Sequence, residues 1–206
     1  MTETSELCRL DRRKRAVVEA ARALFIEQGF ERTTLGDIVE RAGGSLATLY
    51  KVFGSKDGLL EAVVFEKGDS GADIIDRSVA EGGSPAQILH RIAGGLHAHF
   101  LDPEVVALVR IVISRSIFDR DFARRFFERT ATRTQSALAT IFSDWQAQGV
   151  KMDAEPKALA EIFLDLIVSD LHAEAISHGL GQRHSSARLK ARTEFFLAGA
   201  GIAADH

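Results

Sequence analysis

The segment from Thr33 to Phe53, TTLGDIVERAGGSLATLYKVF, constrains this chain more than any other. Thr34 followed three residues later by Asp37 is a capping-box-like start: hydroxyl and carboxylate each take an orphan N–H of a first helical turn. Gly43 and Gly44 then end that helix, because the chain must turn left-handed there and only glycine does so freely. Ser45 is the natural N-cap of a second short helix and Ser55 of a third, with Asp57 in its first turn where the helix dipole favours a carboxylate. Upstream, Val17, Ala21, Leu24, Phe25 and Gln28 keep helical spacing as far as Gly29. With Gly29 just past the helix end, Phe25 and Phe30 occupy the positions whose side chains meet in a Schellman stop. Two short helices joined by a tight glycine turn form a helix-turn-helix, a shape that carries a helix N-terminus into the major groove of double-stranded DNA.

These residues also carry a resemblance. The run from Arg15 to Val64 resembles the DNA-binding domain of the tetracycline-repressor (TetR) family, through AARALF at 20–25, Gly29-Phe30, Thr33-Thr34, Asp37-Ile38, Ala42-Gly43, Thr48-Leu49-Tyr50, Phe53, Ser55-Lys56 and Leu59-Leu60. The chain departs from the family where Gly44-Ser45 stands in place of a frequent Val-Ser, and where Leu46 and Ala47 stand in place of a polar residue and Gly. Those departures bear on base recognition rather than on fold. The segments FARRFFERTATRTQSALATIFSDWQAQG and DLIVSDLHAEAISHG are similar to the C-terminal regulatory domain of the family's AefR-like branch.

An all-α chain is expected. There are three prolines and one tyrosine, and no run alternates β-branched residues. Pro85, Pro103 and Pro156 each follow a polar residue, as at the first position of a helix. With 206 residues, 46% of them hydrophobic, the chain can bury a substantial core. The spacing predicts nine helices, near 11–28, 35–42, 46–52, 56–80, 85–101, 103–117, 119–148, 155–178 and 185–203. They divide into an N-terminal three-helix helix-turn-helix domain, residues 9–56, and an antiparallel C-terminal bundle, residues 57–206, with the seam in the fourth helix. The clearest loops are 81–87 and 178–186.

Composition narrows the function. A single cysteine, Cys8, leaves no internal disulfide and fits a reducing cytosol, and with a polar N-terminus no signal peptide is expected. The longest uncharged apolar run, 195–204, is too short for a bilayer, so a cytoplasmic protein without membrane contact is expected. A net charge of −3 means that DNA binding must come from a local basic face, for which Arg9, Arg12, Arg13, Lys14 and Arg15 supply one cluster. No metal or other cofactor is expected. His97 and His99 face opposite ways on a helix, and His90 and His97 are separated by about 10 Å along the axis. There is no nucleophile elbow, P-loop or dinucleotide fingerprint, so no catalytic residue is assigned. Asp165, Asp170 and Glu174 fall on one apolar helix; buried carboxylates there can recognise a cationic ligand or work as acid and base, and the expectation is the alternative, outward-facing or dimer-edge charges.

The DNA-facing candidates are Thr33, Thr34, Ser45, Leu46, Ala47, Thr48, Tyr50, Lys51, Lys56, Arg12 and Arg13. Tyr50 lies about 100° round the helix from Leu49 and so points outward. The resemblance gives it a phosphate contact; the alternative is a half-buried ring on the first helix. Lys56 at a helix start reads as a phosphate clamp or a solvated lysine. Leu46 shares a wheel face with Leu49 and Phe53, which says core, whereas the resemblance puts it at base edges, where it can only meet a thymine methyl or exclude water. Thr48 is able to bond base or phosphate. Phe100, Phe118, Phe122, Phe142, Trp145, Phe163 and His172 are candidates to line a ligand cavity, because aromatics dominate such sites. For each the alternative is ordinary core. Wide apolar stripes on the last two helices suit packing against a second copy, with Phe163, Ile167 and Phe196 as interface candidates.

The reading that results is a homodimeric transcriptional regulator, a repressor, on an inverted-repeat operator, released by an apolar or amphipathic small-molecule effector. The alternatives are a DNA-binding dimer with no effector, or a small helical binding protein or enzyme whose helix-turn-helix is vestigial.

Overall fold

The computed structural model describes residues 3–66, 71–177, 180 and 185–203, apart from the side chains of 3–10 and 66. Every regular element among them is a helix. The chain forms two compact units, which divide between Gly68 and Asp69.

The first unit holds α1 (Glu3–Gln28), α2 (Leu35–Ala42), α3 (Leu46–Phe53) and α4 (Lys56–Glu66). α1 packs on α2 and α4, and α3 bridges those two. The core is Val18, Ala21, Phe25, Ile38, Leu49, Leu59, Leu60 and Val63, each at most 2% exposed. The local signals act as expected. The Gly29 N–H closes α1 onto the Phe25 carbonyl at 3.1 Å, and the Phe25 and Phe30 rings meet edge-on at 5.1 Å. Thr34 Oγ1 accepts from the Asp37 N–H at 3.1 Å, and Asp37 Oδ2 accepts from the Thr34 N–H at 2.8 Å, so the capping box is complete. Gly43 and Gly44 have φ of 73° and 119°, where a side chain would be strained.

The division at 68/69 falls inside the helix expected over 56–80, where the seam is expected, and beyond the boundary at 56/57. α4 buries Leu59, Leu60 and Val63 and packs on α1 and α3, and the first unit runs to Gly68. The single helix expected over 56–80 is described as α4 and a separate α5 (Gly71–Ala80); residues 67–70 lie outside the described residues.

The second unit continues with α6 (Pro85–Phe100), α7 (Pro103–Phe118), α8 (Arg120–Arg129), α9 (Ala131–Ala147), α10 (Pro156–Ser177) and α11 (Ser186–Gly199). Each proline opens its helix. Ser84 makes a capping box with Gln87, and the Asp102 carboxylate accepts the N–H groups of Glu104 and Val105. The one helix expected over 119–148 is two, α8 and α9. At Thr130 (φ −113°, ψ −78°) the backbone leaves the helical path, and its hydroxyl donates to the Phe126 carbonyl at 2.8 Å, which ends α8. The expected loop at 178–186 falls largely on residues outside the described ones, namely 178, 179 and 181–184.

α9 and α10 pack side by side at the centre of the bundle, flanked by α5, α6 and α11. Their core is an aromatic chain: Phe163 to Phe196 at 4.9 Å between centroids, Phe196 to Phe142 at 6.0 Å, and Phe142 to Trp145 at 5.7 Å. Such offset and edge-on pairs add about 0.5–1.5 kcal/mol each to the burial itself.

Candidate nucleic-acid interface

α3 carries the exposed face of the first unit. Ser45 caps it: the Oγ accepts the Thr48 N–H at 3.3 Å and shares a second hydrogen bond with Thr48 Oγ1 at 3.0 Å. Leu49 is buried and anchors the inner side. The outer side presents Leu46, Ala47, Tyr50 and Lys51, with Leu46 45% and Tyr50 54% exposed. The ambiguity at Leu46 therefore resolves outward. It shares a wheel face with Leu49, but it stands in the first turn, beyond the edge of the three-helix core. Tyr50 is likewise an outward residue, not one packed on α1.

The fold brings Arg13 to this helix start. Arg13 and Lys14 on α1 line a shallow cleft together with Gly43, Gly44, Ser45 and Thr48; its enclosed space, about 20 Å³, is water-sized. A Cβ on Gly44 would meet Arg13 Nη2 at 2.9 Å, so the missing side chain is what lets the guanidinium lie across the turn. Arg12 is exposed on the same helix; the side chain of Arg9 lies outside the described residues. Lys14, which sequence spacing does not single out among its basic neighbours, joins the cleft because it is one residue along α1 from Arg13.

Two candidates are placed elsewhere. Thr33 is 1% exposed; its hydroxyl donates to the carbonyl of Gly29 at 2.8 Å or Leu24 at 3.2 Å and accepts from Gln28 Nε2 at 3.3 Å. It pins the α1–α2 corner and offers nothing outward. Thr34, beside it, is exposed, with its side chain used as the α2 cap. Lys56 folds back: the ammonium stands 4.4 Å above the Phe30 ring and donates to the Glu31 carbonyl at 3.3 Å. A cation–π contact and a backbone acceptor hold it against the unit, which argues for a fold-stabilising lysine rather than a clamp.

Two carboxylates in this unit are held below their ordinary range. Asp37 is lowered by the Thr34 backbone N–H and then by the Thr34 hydroxyl; Glu27 is lowered chiefly by hydrogen bonds from Arg41, at 2.6 and 2.9 Å. The depressed values make the charged forms the folded ones. Stability from both is present above their unfolded values, 3.8 and 4.5, and is lost as pH falls through the lower folded values. Asp37→Asn is expected to flatten the acid limb of a pH-stability curve below about pH 4 and to leave the neutral-to-basic slope unchanged; an acid limb identical to that of the unchanged chain would rule out the capping carboxylate as its source.

In the bundle, the aromatic candidates do not converge on one cavity. Phe142, Trp145 and Phe163 fill the packed core, with Phe100 half-buried against it. Phe122 is buried (1%) but lies outside that core cluster, Phe118 is 84% exposed, and His172 is exposed. The seven candidates are thus divided between core and surface. The interface candidates are displaced similarly. Phe163, Ile167 and Phe196 are at most 4% exposed within their own chain, whereas their neighbours Ile162 and Phe195 are 51% and 75% exposed. One residue along a helix is a 100° rotation, and only packing shows which of two adjacent apolar residues turns inward.

Asp170 is a further correction. Expected at an edge, it is buried and makes a bidentate pair with Arg192 at 2.9 and 3.0 Å, with Arg188 at 3.8 Å and His97 at 3.7 Å. The signal available in sequence was Arg188 and Arg192, four apart on α11, facing a carboxylate on α10.

Among the described residues no group of three His, Cys, Asp or Glu side chains could hold a metal, and no helix is long and apolar enough to cross a membrane.

Residues 17–63 match the family model for bacterial regulatory proteins of the tetR family, and residues 87–199 match the C-terminal domain of AefR-like transcriptional repressors. The repressor KstR of Mycolicibacterium smegmatis is 28% identical over 151 residues, 65% of this chain and 72% of its own. With two Bacillus subtilis regulators, YfiR and YvkB, the match spans only 33% and 38% of their length. A solved tetR-family regulator from Mesorhizobium loti has a TM-score of 0.80 at 26% identity, with 92% of this chain and 97% of that one covered. The flavonoid-responsive regulator FrrA has a TM-score of 0.69 at 29% identity over 91% and 96% of the two chains. The second of the two family models alone covers more than half of the residues, and the chain belongs to the tetR family of bacterial transcriptional regulators, with an AefR-like C-terminal domain.

Proposed function

We propose that this protein is a repressor that binds an inverted-repeat operator as a homodimer and is released by an apolar or amphipathic small molecule. The observation that carries the DNA part is the exposed outer face of α3 beside Arg13 and Lys14, on a unit that matches the family's DNA-binding model. Leu46, Ala47 and Thr48, in the first turn, take the base-edge positions of a helix-turn-helix; Tyr50, Lys51, Arg12 and Arg13 take phosphates. The family repressors among its relatives support the direction of control.

Dimerisation is assigned to α10 and α11. Ile162, Leu166, Ser169, Ala173 and Ile176 follow one face of α10, and Ala187, Ala191, Phe195 and Ala198 one face of α11; all but half-buried Leu166 are exposed. Two adjacent helices with exposed apolar and small side chains suit a helix-on-helix contact between copies. The two heads would then enter successive major grooves about 34–36 Å apart.

The test of the operator reading is a salt titration on a selected duplex. Tyr50→Ala and Lys51→Ala are expected to weaken binding to all sequences and to reduce the slope of log K on log salt by about one for the lysine. Lys56→Ala is expected to lower stability and leave that slope unchanged. Full affinity in Tyr50→Ala and Lys51→Ala together would refute this docking.

The effector reading is supported by the AefR-like match and by the likeness to a flavonoid-responsive regulator. Since Phe142, Phe163 and Phe196 pack against one another, a ligand there must repack them, and it favours release only through its differential affinity for the two states. Calorimetry of a ligand found by thermal shift, with and without operator, is expected to show coupling of about 1–3 kcal/mol. Equal affinity in both titrations would leave a DNA-binding dimer without a sensor.

A further inference from the structure

α3 reads LATLYKVF, and its exposed first turn contains no amide, guanidinium or carboxylate. The major-groove code is restrictive at that point. Adenine is best met by Asn or Gln, guanine by Arg or Lys, and cytosine by Asp or Glu. The C5-methyl of thymine is the one base feature that an aliphatic side chain recognises directly. The hydroxyls nearby are partly engaged at home: Ser45 Oγ takes the Thr48 N–H and shares a hydrogen bond with Thr48 Oγ1 at 3.0 Å, which leaves one hydroxyl hydrogen between the two. Lys51, the one cation on α3, comes four residues after Ala47, past the N-terminal residues that reach base edges in this docking mode. Leu46, 45% exposed, and the exposed Ala47 therefore form an aliphatic tip where a reading helix ordinarily carries hydrogen-bonding groups.

We propose that this protein discriminates its operator through thymine methyl groups, met by Leu46 and Ala47 in the first turn of α3. The inference rests on the operator-binding reading above and specifies its chemistry. It follows that the half-site carries thymine where the α3 tip enters the groove, and that the contact excludes water from the methyl rather than making a hydrogen bond to the base.

The test replaces each thymine of a selected operator, singly, with deoxyuridine, which keeps pairing and hydrogen-bonding groups and removes only the methyl. The full chain is titrated onto each duplex. At the contacted position a loss of about fourfold is expected, the worth of one buried methyl, and about fifteenfold when both half-sites are changed. Affinity for a random duplex should not respond. Leu46→Ala should bind the thymine operator more weakly and show little further loss on uridine; because Leu46 is exposed, its melting curve should match that of the unchanged chain. If no uridine position lowers affinity as much as twofold while the selected operator still outcompetes random duplex, the thymine inference fails and operator binding stands. If Leu46→Ala keeps the full uridine penalty at every sensitive position, Leu46 is not a reader and the inference fails. If no sequence outcompetes random duplex, the operator reading itself falls and takes the inference with it.

Discussion

Phe163→Ala is expected to cost the bundle about 3–5 kcal/mol, measured by denaturant unfolding of the full chain. The side chain is 0% exposed and stacks edge-on with Phe196 at 4.9 Å, which in turn touches Phe142. Truncation removes the transfer energy of the ring and leaves a cavity between α10 and α11 beside Phe196, which a packed core cannot easily collapse into. Against a typical total stability of about 5–15 kcal/mol, that is a loss of about a fifth or more. Its neighbour provides the contrast. Ile162→Glu and Phe195→Glu alter residues 51% and 75% exposed, so each folded chain should persist while the sedimentation coefficient falls to that of a single copy. If Phe163→Ala melts like the unchanged chain, the aromatic core is not packed as described. If Phe195→Glu sediments unchanged, α11 does not dimerise the protein through that face.

Asp170→Asn is expected to cost about 2–3 kcal/mol, a figure reduced from the usual loss for a broken buried pair because Arg192 retains 18% of its side-chain exposure. The substitution keeps the shape and removes the charge that Arg192 meets at 2.9 and 3.0 Å. Arg192 still donates to the Leu166 carbonyl at 3.1 Å and to the remaining side-chain oxygen at 170, but neutral acceptors compensate a part-buried guanidinium poorly. The reverse experiment separates the pair's net worth from the cost of an orphaned charge. Asp170→Leu together with Arg192→Met should recover most of the loss, since the desolvation of both ions disappears along with their attraction. Recovery indicates that the pair specifies how α6, α10 and α11 meet more than it stabilises them. A single-site loss below about 0.5 kcal/mol would show that the cluster behaves as a solvated surface pair.

Local chemistry made a large part of the fold legible in advance. The capping box at Thr34 and Asp37, the Gly43-Gly44 turn, the Ser45 cap and the Phe25–Phe30 contact each depend on residues within a few positions of one another. The same holds for Pro85 and Pro103, which sit at the first position after a bonded polar cap. The helix break at Thr130 was not legible, because it has no glycine or proline to announce it. Outward placement of Tyr50 was legible because Leu49 beside it is strongly apolar and a helix has one inner face.

Tertiary packing decided what helical spacing leaves degenerate. Thr33 and Thr34 are adjacent identical residues, yet one is spent inside a corner and the other exposed as a cap. Lys56 turns back to Phe30 because α1 and α4 lie against each other, a fact of contacts 26 residues apart in sequence. Arg13 reaches Gly44 and the start of α3 because α1 packs on α2. Ile162 and Phe163 look equal in an apolar stripe, and only the neighbouring helices place the first outside and the second inside. Sequence alone determined that this chain is helical, where most of its helices begin and end, and that one of them is built to meet DNA, because caps, glycines and periodicity are local. Which side chains of those helices turn outward and which into the core was decided by the fold, because burial is a property of what packs against a residue and not of the residue itself.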